Sequence, residues 1–271
     1  MSNGICILAQ NNKTTDYVRQ AYALALSVLA NDPGTNISLI TNDTIPDYYK
    51  NVFDKIIPIP WGDMAKGDWK IENRWKVYHV TPYRNTIVFD TDMLILDSLS
   101  NTWDWYNLAF TNQVKTYRNE IVTSNYYRKT FVENELPNIY TGMYQFSKCE
   151  STRQFFVLLD IIIKNWEIFY KKYAPKSMQR WCSFDLSVAI AVKILDLEGY
   201  VLNNSNMLGF THMKPMVQNL SNISSKWLEN LTVDYGNNDI YINGFKQSGV
   251  LHYVDDDFLS SDMLAWLEEK V

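Results

Sequence analysis

The sequence predicts an α/β fold built on a mostly parallel sheet, and three stretches carry that expectation. Residues 5–9 are a compact apolar run, residues 17–29 repeat apolar side chains at helical spacing, and residues 36–40 are apolar again. That order is a β-α-β unit, whose crossover makes the two strands parallel. A further stretch is Thr86-Ile87-Val88-Phe89 followed by Asp90-Thr91-Asp92 and a second apolar run, residues 93–96. Strands buried on both faces of a parallel sheet read as continuous Val, Ile and Phe. The two acids then fall at the carboxyl end of a buried strand, where open α/β sheets place their ligand crevice.

In chain order, the polar tip Gln10-Asn11-Asn12 ends the first strand. Thr14 or Thr15 is expected to cap the first helix, with Asp16 in its first turn. Asn31-Asp32-Pro33-Gly34 stops that helix. Residues 46–53 read as a short helix and residues 55–60 as an edge strand cut off by prolines. Residues 61–69 carry Gly62 and Gly67 among polar residues and read as a loop. A helix over 72–80 feeds the central strand. Residues 103–109 read as strand or turn, and the polar, aromatic stretch 114–135 as loops. Residues 139–146 form a strand around Gly142, a glycine that marks close backbone approach. Helices are expected over 152–170 and 183–197, the second with Asp185 in its first turn. Asn243-Gly244 between residues 239–242 and 245–247 is a strong hairpin signal. A strand over 249–253 then carries His252, and a helix over 261–269 closes the chain, capped by Asp255, Asp256 and Asp257.

Composition narrows the function classes. A net charge of −5 lacks the basic face that nucleic-acid binding needs. The 18 Tyr and 9 Trp supply flat surfaces with a polar handle, suited to sugars and bases as well as to cores. Cys6, Cys149 and Cys182 show no framework spacing, so reduced thiols and a cytoplasmic location are expected. No stretch is apolar and long enough for a transmembrane segment, and the sequon at Asn222 reads as chance. One domain over 1–271 is expected, divided into segments 1–97, 98–235 and a C-terminal hairpin and helix (236–271).

Asp90 and Asp92 sit two residues apart, so an extended chain projects both carboxylates to one side. Two hard oxygen donors aimed together suit Mg²⁺ or Mn²⁺. Taken alone, Asp90-Thr91-Asp92 is equally readable as a turn whose acids hold backbone amides.

With these pieces in place the chain resembles the GT-A glycosyltransferases, above all the glycogenin-like and lipopolysaccharide-galactosyltransferase-like enzymes of family 8. The likeness lies in order and spacing: Tyr17, Ala21 and Ser27 in the first helix, Arg74, then Tyr83, then Asp90-Thr91-Asp92, Thr141-Gly142, Asp185 and His252. The resemblance implies a single Rossmann-like GT-A domain with a mixed, mostly parallel central sheet flanked by helices. It also implies an enzyme that moves a sugar from a nucleotide-sugar, with UDP as the nucleotide, to a hydroxyl of a glycan, lipid-linked sugar or protein, with retention of configuration. Asp90, Asp92 and His252 would hold Mn²⁺ or Mg²⁺. Ala9, Asn11 and Tyr17 would frame the base, Arg74 would meet a phosphate or ribose oxygen, and Asp90 with Thr91 would lie against the donor. Asp185 would face the sugar or the acceptor hydroxyl. The family's lysine after the histidine is absent, since His252 runs into Tyr253-Val254-Asp255, and Lys214 is the substitute for the diphosphate contact. Tyr140 stands where the family has asparagine. His212, beside Lys214, stays open between packing and phosphate contact, and His79 is expected to pack.

Two rival readings remain. A metal-dependent nucleotidyltransferase would need a glycine-rich basic phosphate loop near the N-terminus, and residues 10–15 hold no glycine and one lysine. A sugar-nucleotide-binding protein without turnover would bind a donor and release no product.

Overall fold

The computed structural model describes residues 2–63, 65, 67–103, 107–122, 125, 127–202, 208–218, 227–236 and 239–271. Asn222 and parts of the expected loops lie outside them. The chain opens with β1 (Asn3–Leu8), α1 (Tyr17–Asn31), β2 (Ile37–Ile40) and β3 (Lys55–Ile57). Next come α2 (Val77–Val80), β4 (Asn85–Phe89) and β5 (Met93–Ile95), then β6 (Leu108–Thr111), β7 (Val114–Lys115), β8 (Ile121–Val122), α3 (Lys129–Glu133) and β9 (Tyr140–Ser147). Three helices follow, α4 (Glu150–Lys164), α5 (Trp166–Tyr173) and α6 (Phe184–Ile194). The remainder is β10 (Val201–Leu202), β11 (Phe210–His212), β12 (Val233–Gly236), β13 (Asp239–Ile242), β14 (Phe245–Lys246), β15 (Val250–His252) and α7 (Ser261–Glu268).

The central sheet runs β10-β6-β9-β4-β1-β2-β3. β1 is parallel to β2 and β4, and β2 to β3, whereas β9 is antiparallel to both β4 and β6. The sheet is therefore mixed. Alternation sends Ile5, Ile7, Ile87 and Phe89 into one apolar core and Cys6, Val88, Tyr144 and Phe146 into another on the opposite face. Period-2 side-chain direction on strands buried on both faces produces this three-layer build. The first core holds α1 and the second holds α4 and α6.

A second sheet, β5-β15-β11-β7-β8, packs beside the first. The chain leaves the central sheet at the end of β4 and enters the second sheet at β5, so Asp90-Thr91-Asp92 is the bridge between them. Ser27 of α1 latches that crossing: its hydroxyl donates to Leu24 O at 2.7 Å and accepts from Ile95 N at 2.9 Å. Asn31 adds a hydrogen bond to Ile95 O at 3.0 Å, so α1 covers the otherwise open edge of β5. Both Asn243 and Gly244 have positive φ, at 50° and 80°, the backbone that an Asn-Gly hairpin turn requires. β13 and β14 pair across that turn, and β12 adds a third strand.

The structure corrects several local expectations. Asp16, not Thr14 or Thr15, caps α1, accepting from Arg19 N at 3.0 Å. The helix expected over 46–53 is a 3₁₀ segment, Asp47–Val52, and the one over 72–80 is a 3₁₀ segment, Ile71–Lys76, followed by the single turn of α2. The long helix over 152–170 breaks at Asn165, whose φ and ψ of −124° and 31° leave the helical region. Apolar periodicity runs through the break because α4 and α5 bury the same kind of stripe, so period alone hides it. Ser260 caps α7 and Asp255 caps the preceding 3₁₀ turn, so the three acids do not cap the last helix.

Candidate functional site

Main-chain hydrogen bonds determine where the two acids point. Asp90 N donates to Gly142 O at 2.8 Å, tying the end of β4 to β9. Tyr253 N donates to Asp92 O at 3.1 Å, and His252 pairs with Met93 across the β5–β15 ladder. A histidine some 160 positions along the chain thus arrives beside the acid pair through strand register. His252 Nε2 lies 2.9 Å from Asp92 Oδ2. One ligand atom each from Asp90, Asp92 and His252 falls within 4.8 Å of the others, a spacing that fits one cation. Two carboxylates and an imidazole suit Mn²⁺ or Mg²⁺ with oxygen ligands completing the shell.

The surroundings hold this set in place. Phe210 and His212 of β11 stack on His252, with ring centroids 5.7 Å and 4.5 Å away. A Cβ on Gly142 would collide with the Met93 methyl and stand 3.1 Å from the Phe210 ring and 3.5 Å from His252 Nδ1. Glycine leaves room there for the Met93 methyl and the Phe210 ring. Thr91 is buried, and its hydroxyl donates to Gln20 Oε1 at 2.9 Å, while the Gln20 amide nitrogen donates to Asp256. This chain joins the acid bridge, α1 and the C-terminal segment.

Charges are balanced inside the site. Arg74 reaches Asp90 at 2.8 Å and lies 5.4 Å over the Phe184 ring. Burial still pushes the Asp90 carboxyl above the usual range, against the pull of Arg74. For Asp92 burial acts the same way, but the charge and hydrogen bond of His252 outweigh it and hold the carboxyl low. Burial, then the nearby His252 and Lys214, keep His212 well below the ordinary imidazole range, so it packs as a neutral ring. Tyr17 is half-buried at the start of α1, its hydroxyl raised first by burial and then by Asp92.

Asp185 sits one residue into α6, and both of its oxygens are engaged. Oδ1 accepts from Thr141 N at 3.0 Å and from the Thr141 hydroxyl at 2.5 Å. Oδ2 meets the Arg128 guanidinium at 2.6 Å. Arg128 is buried, also donates to Ile139 O, and lies 3.5 Å over the Tyr140 ring. Burial opposes the charge on Asp185, but Arg128 and Thr141 outweigh it, so the carboxyl titrates below its ordinary 3.8.

Asp90, Thr91, Asp92, His252, Arg74 and Tyr17 thus come together. Ala9 and Asn11 stand at the tip of β1, where Ala9 N donates to Ile40 O at 3.0 Å and Asn11 N to Asp43 Oδ2 at 2.6 Å. Asn11 Oδ1 in turn accepts from Val18 N at 3.0 Å, tying the tip to α1. Lys214 is exposed, just beyond β11, and its charge reaches Asp185 and His212. Sequence reasoning missed Gln20, Arg128 and Asp256. Gln20 sits at the buried face of an apolar helix, a polar residue in a core position that marks it in hindsight. Arg128 falls in a stretch without periodicity, where no local signal exists. His79 packs as expected, between Trp61, Trp75 and Tyr78.

No family model matches the chain, and no curated protein matches it by sequence. Solved structures do. The galactosyltransferase LgtC, in complex with donor and acceptor sugar analogs, superposes with a TM-score of 0.51 at 16% identity over 99% of this chain and 94% of its own. Mouse xyloside xylosyltransferase 1 gives 0.51 at 11% identity over 93% and 97%. The bifunctional glycosyltransferase WbbM also gives 0.51, at 13% identity, and the chain covers 51% of its length. The chain therefore has the GT-A fold seen in these glycosyltransferases. Among the described residues no helix is long and apolar enough to cross a membrane.

Proposed function

We propose that the protein is a metal-dependent glycosyltransferase that moves a sugar from a nucleotide-sugar, with UDP as the nucleotide, to a hydroxyl acceptor with retention of configuration. The observation that carries the proposal is the convergence of Asp90, Asp92 and His252 on one cation-sized gap at the carboxyl end of β4. The GT-A fold supports it, because fold similarity to LgtC and the xylosyltransferase spans nearly the whole of each chain. Asp90, Asp92 and His252 would hold Mn²⁺ or Mg²⁺, which offsets the negative charge developing on a diphosphate leaving group.

This chain's own residues would do the rest. Tyr17 offers a ring at the start of α1 for the base, with Ala9 and Asn11 framing it from the tip of β1. Arg74, ion-paired with Asp90, would bind a phosphate or ribose oxygen. Thr91, fixed by Gln20, holds the bent bridge between Asp90 and Asp92 in place. Lys214 is the exposed cation for the diphosphate. Asp185 has its oxygens occupied by Arg128 and Thr141, which leaves it poorly placed to take a proton as base. That favours retention, in which the leaving phosphate can accept the acceptor's proton, over inversion.

The test is a panel of UDP-, GDP- and CMP-sugars scored for Mn²⁺-dependent binding and slow donor hydrolysis. UDP-sugar binding that requires Mn²⁺, falls at least ~100-fold in His252→Ala, and is accompanied by hydrolysis is expected. Binding without any hydrolysis or transfer would assign the protein as a non-catalytic sugar-nucleotide binder. Metal-independent binding would overturn the proposed metal site. Release of pyrophosphate from a nucleoside triphosphate and a sugar phosphate would favour the nucleotidyltransferase reading.

A further inference from the structure

Two tryptophans stand open to solvent beside the proposed donor site. Trp69 is 60% exposed and Trp181 is 47% exposed. Their ring centroids lie 6.0 Å apart and their planes meet at 73°, so together they form an L-shaped aromatic corner. Leaving two large indoles in water forfeits the burial that would otherwise stabilise the fold, and such surfaces mark interaction sites. Trp61 is a useful contrast: it is also exposed, but one face is stacked on Trp75 at 5.5 Å and an edge meets His79, so its surface is already used.

The corner's position gives it a role. Trp69 lies on the segment that leads into Arg74, and Trp181 on the segment that leads into Phe184 and Asp185. The two segments run alongside each other, since the Arg74 guanidinium lies over the Phe184 ring and the Glu72 carboxylate acts on the Cys182 thiol. Asn12 Nδ2 donates to Asp68 O at 3.2 Å, which ties the base of Trp69 to the tip of β1, next to Asn11. Upstream of Trp181 the chain lines a cleft of about 420 Å³ with Trp166, Tyr170, Arg180 and the buried Gln179. Flat aromatic faces with a planar polar group nearby match a pyranose, which offers a patch of C–H bonds on one face and hydroxyls at its rim.

We infer that Trp69 and Trp181 form an acceptor platform that stacks a saccharide next to the donor site, so that the acceptor is a glycan and not a peptide hydroxyl. This rests on the transferase reading for its role, although the platform itself can be tested without turnover. The experiment is saturation-transfer NMR on the intact protein with methyl β-galactoside and methyl β-glucoside, comparing wild type with W69A/W181A and W69F/W181F. Thermal melting of each variant reports folding. Saturation of the sugar ring protons is expected for wild type and W69F/W181F, with binding about tenfold weaker in a folded W69A/W181A, in line with the loss of a ~1.4 kcal/mol aromatic contact. Equal saturation in wild type and a folded W69A/W181A overturns the inference, as does absence of saturation from either glycoside in the wild type. Should W69A/W181A not fold, a W181A single variant that retains full saturation overturns it equally, and one that weakens saturation supports it. UDP-sugar hydrolysis by the wild-type protein is scored separately. Saccharide contact without hydrolysis would leave the platform standing and sink the transferase reading.

Discussion

Removing the buried guanidinium of Arg128 is the sharpest test of how the acceptor side is held. Its side chain is 4% exposed and that of its partner Asp185 is 20% exposed, so the pair is largely shielded from water. Arg128→Met keeps the volume and the contact with Tyr140 but leaves the Asp185 carboxylate buried without its counter-charge. Breaking such a pair costs about 3–5 kcal/mol, and the residual exposure of Asp185 places this case near about 3. Asp185→Asn keeps an acceptor for Thr141 and strands the Arg128 charge instead, at a similar cost. In the double variant neither charge remains, so the combined loss is expected to fall short of the sum by about 2 kcal/mol or more. Urea unfolding of the four proteins at pH 7 measures this. The pH dependence supplies a second signature. Because Asp185 titrates below 3.8 in the folded protein, its contribution is present above pH 3.8 and is lost as pH falls through the folded value. In Arg128→Met burial dominates and the carboxyl rises, so lowering the pH toward its new value relieves the variant where it weakens the wild type. Additive single losses, or an Arg128→Met cost under about 1 kcal/mol, would refute the claim that Asp185 is held by charge pairing.

Other outcomes follow from the same geometry. Gly142→Ala places a methyl against Met93 and the Phe210 ring, and overpacking of this kind is expected to destabilise by about 1–3 kcal/mol in urea unfolding. Val254 has φ of +70°, and Asp255 N donates to Tyr253 O at 2.8 Å, a tight turn that a β-branched residue enters under strain. Val254→Gly relieves roughly 1–3 kcal/mol of strain and adds roughly 0.5–1 kcal/mol of chain entropy cost, so a net gain of about 1 kcal/mol and a raised Tm are expected. Asp16→Ala removes the cap of α1 and should cost about 1 kcal/mol in the same measurement, whereas Thr14→Ala and Thr15→Ala should cost less.

Much of this protein is written locally. The β-α-β opening, the buried strand into Asp90 and the Asn243-Gly244 turn depend on residues adjacent in the chain, and a period, a breaker or a turn residue reveals each one. The order of Arg74, Asp90, Asp92 and His252 was also legible, because spacing along the chain survives where overall similarity to other glycosyltransferases does not.

Only the tertiary structure decided which of those residues meet. His252 reaches Asp92 because β15 pairs with β5 in one register, and a slip of a single residue would turn the imidazole to the other face. Arg128 finds Asp185, and Gln20 joins Thr91 to Asp256, across separations of 57, 71 and 236 residues that no local pattern records. Periodicity reports which face of an element is buried, since the spacing of residues along the chain sets which of them share an apolar face. It is silent on polar partners, since a hydrogen bond is chosen by whatever donor the fold brings within reach.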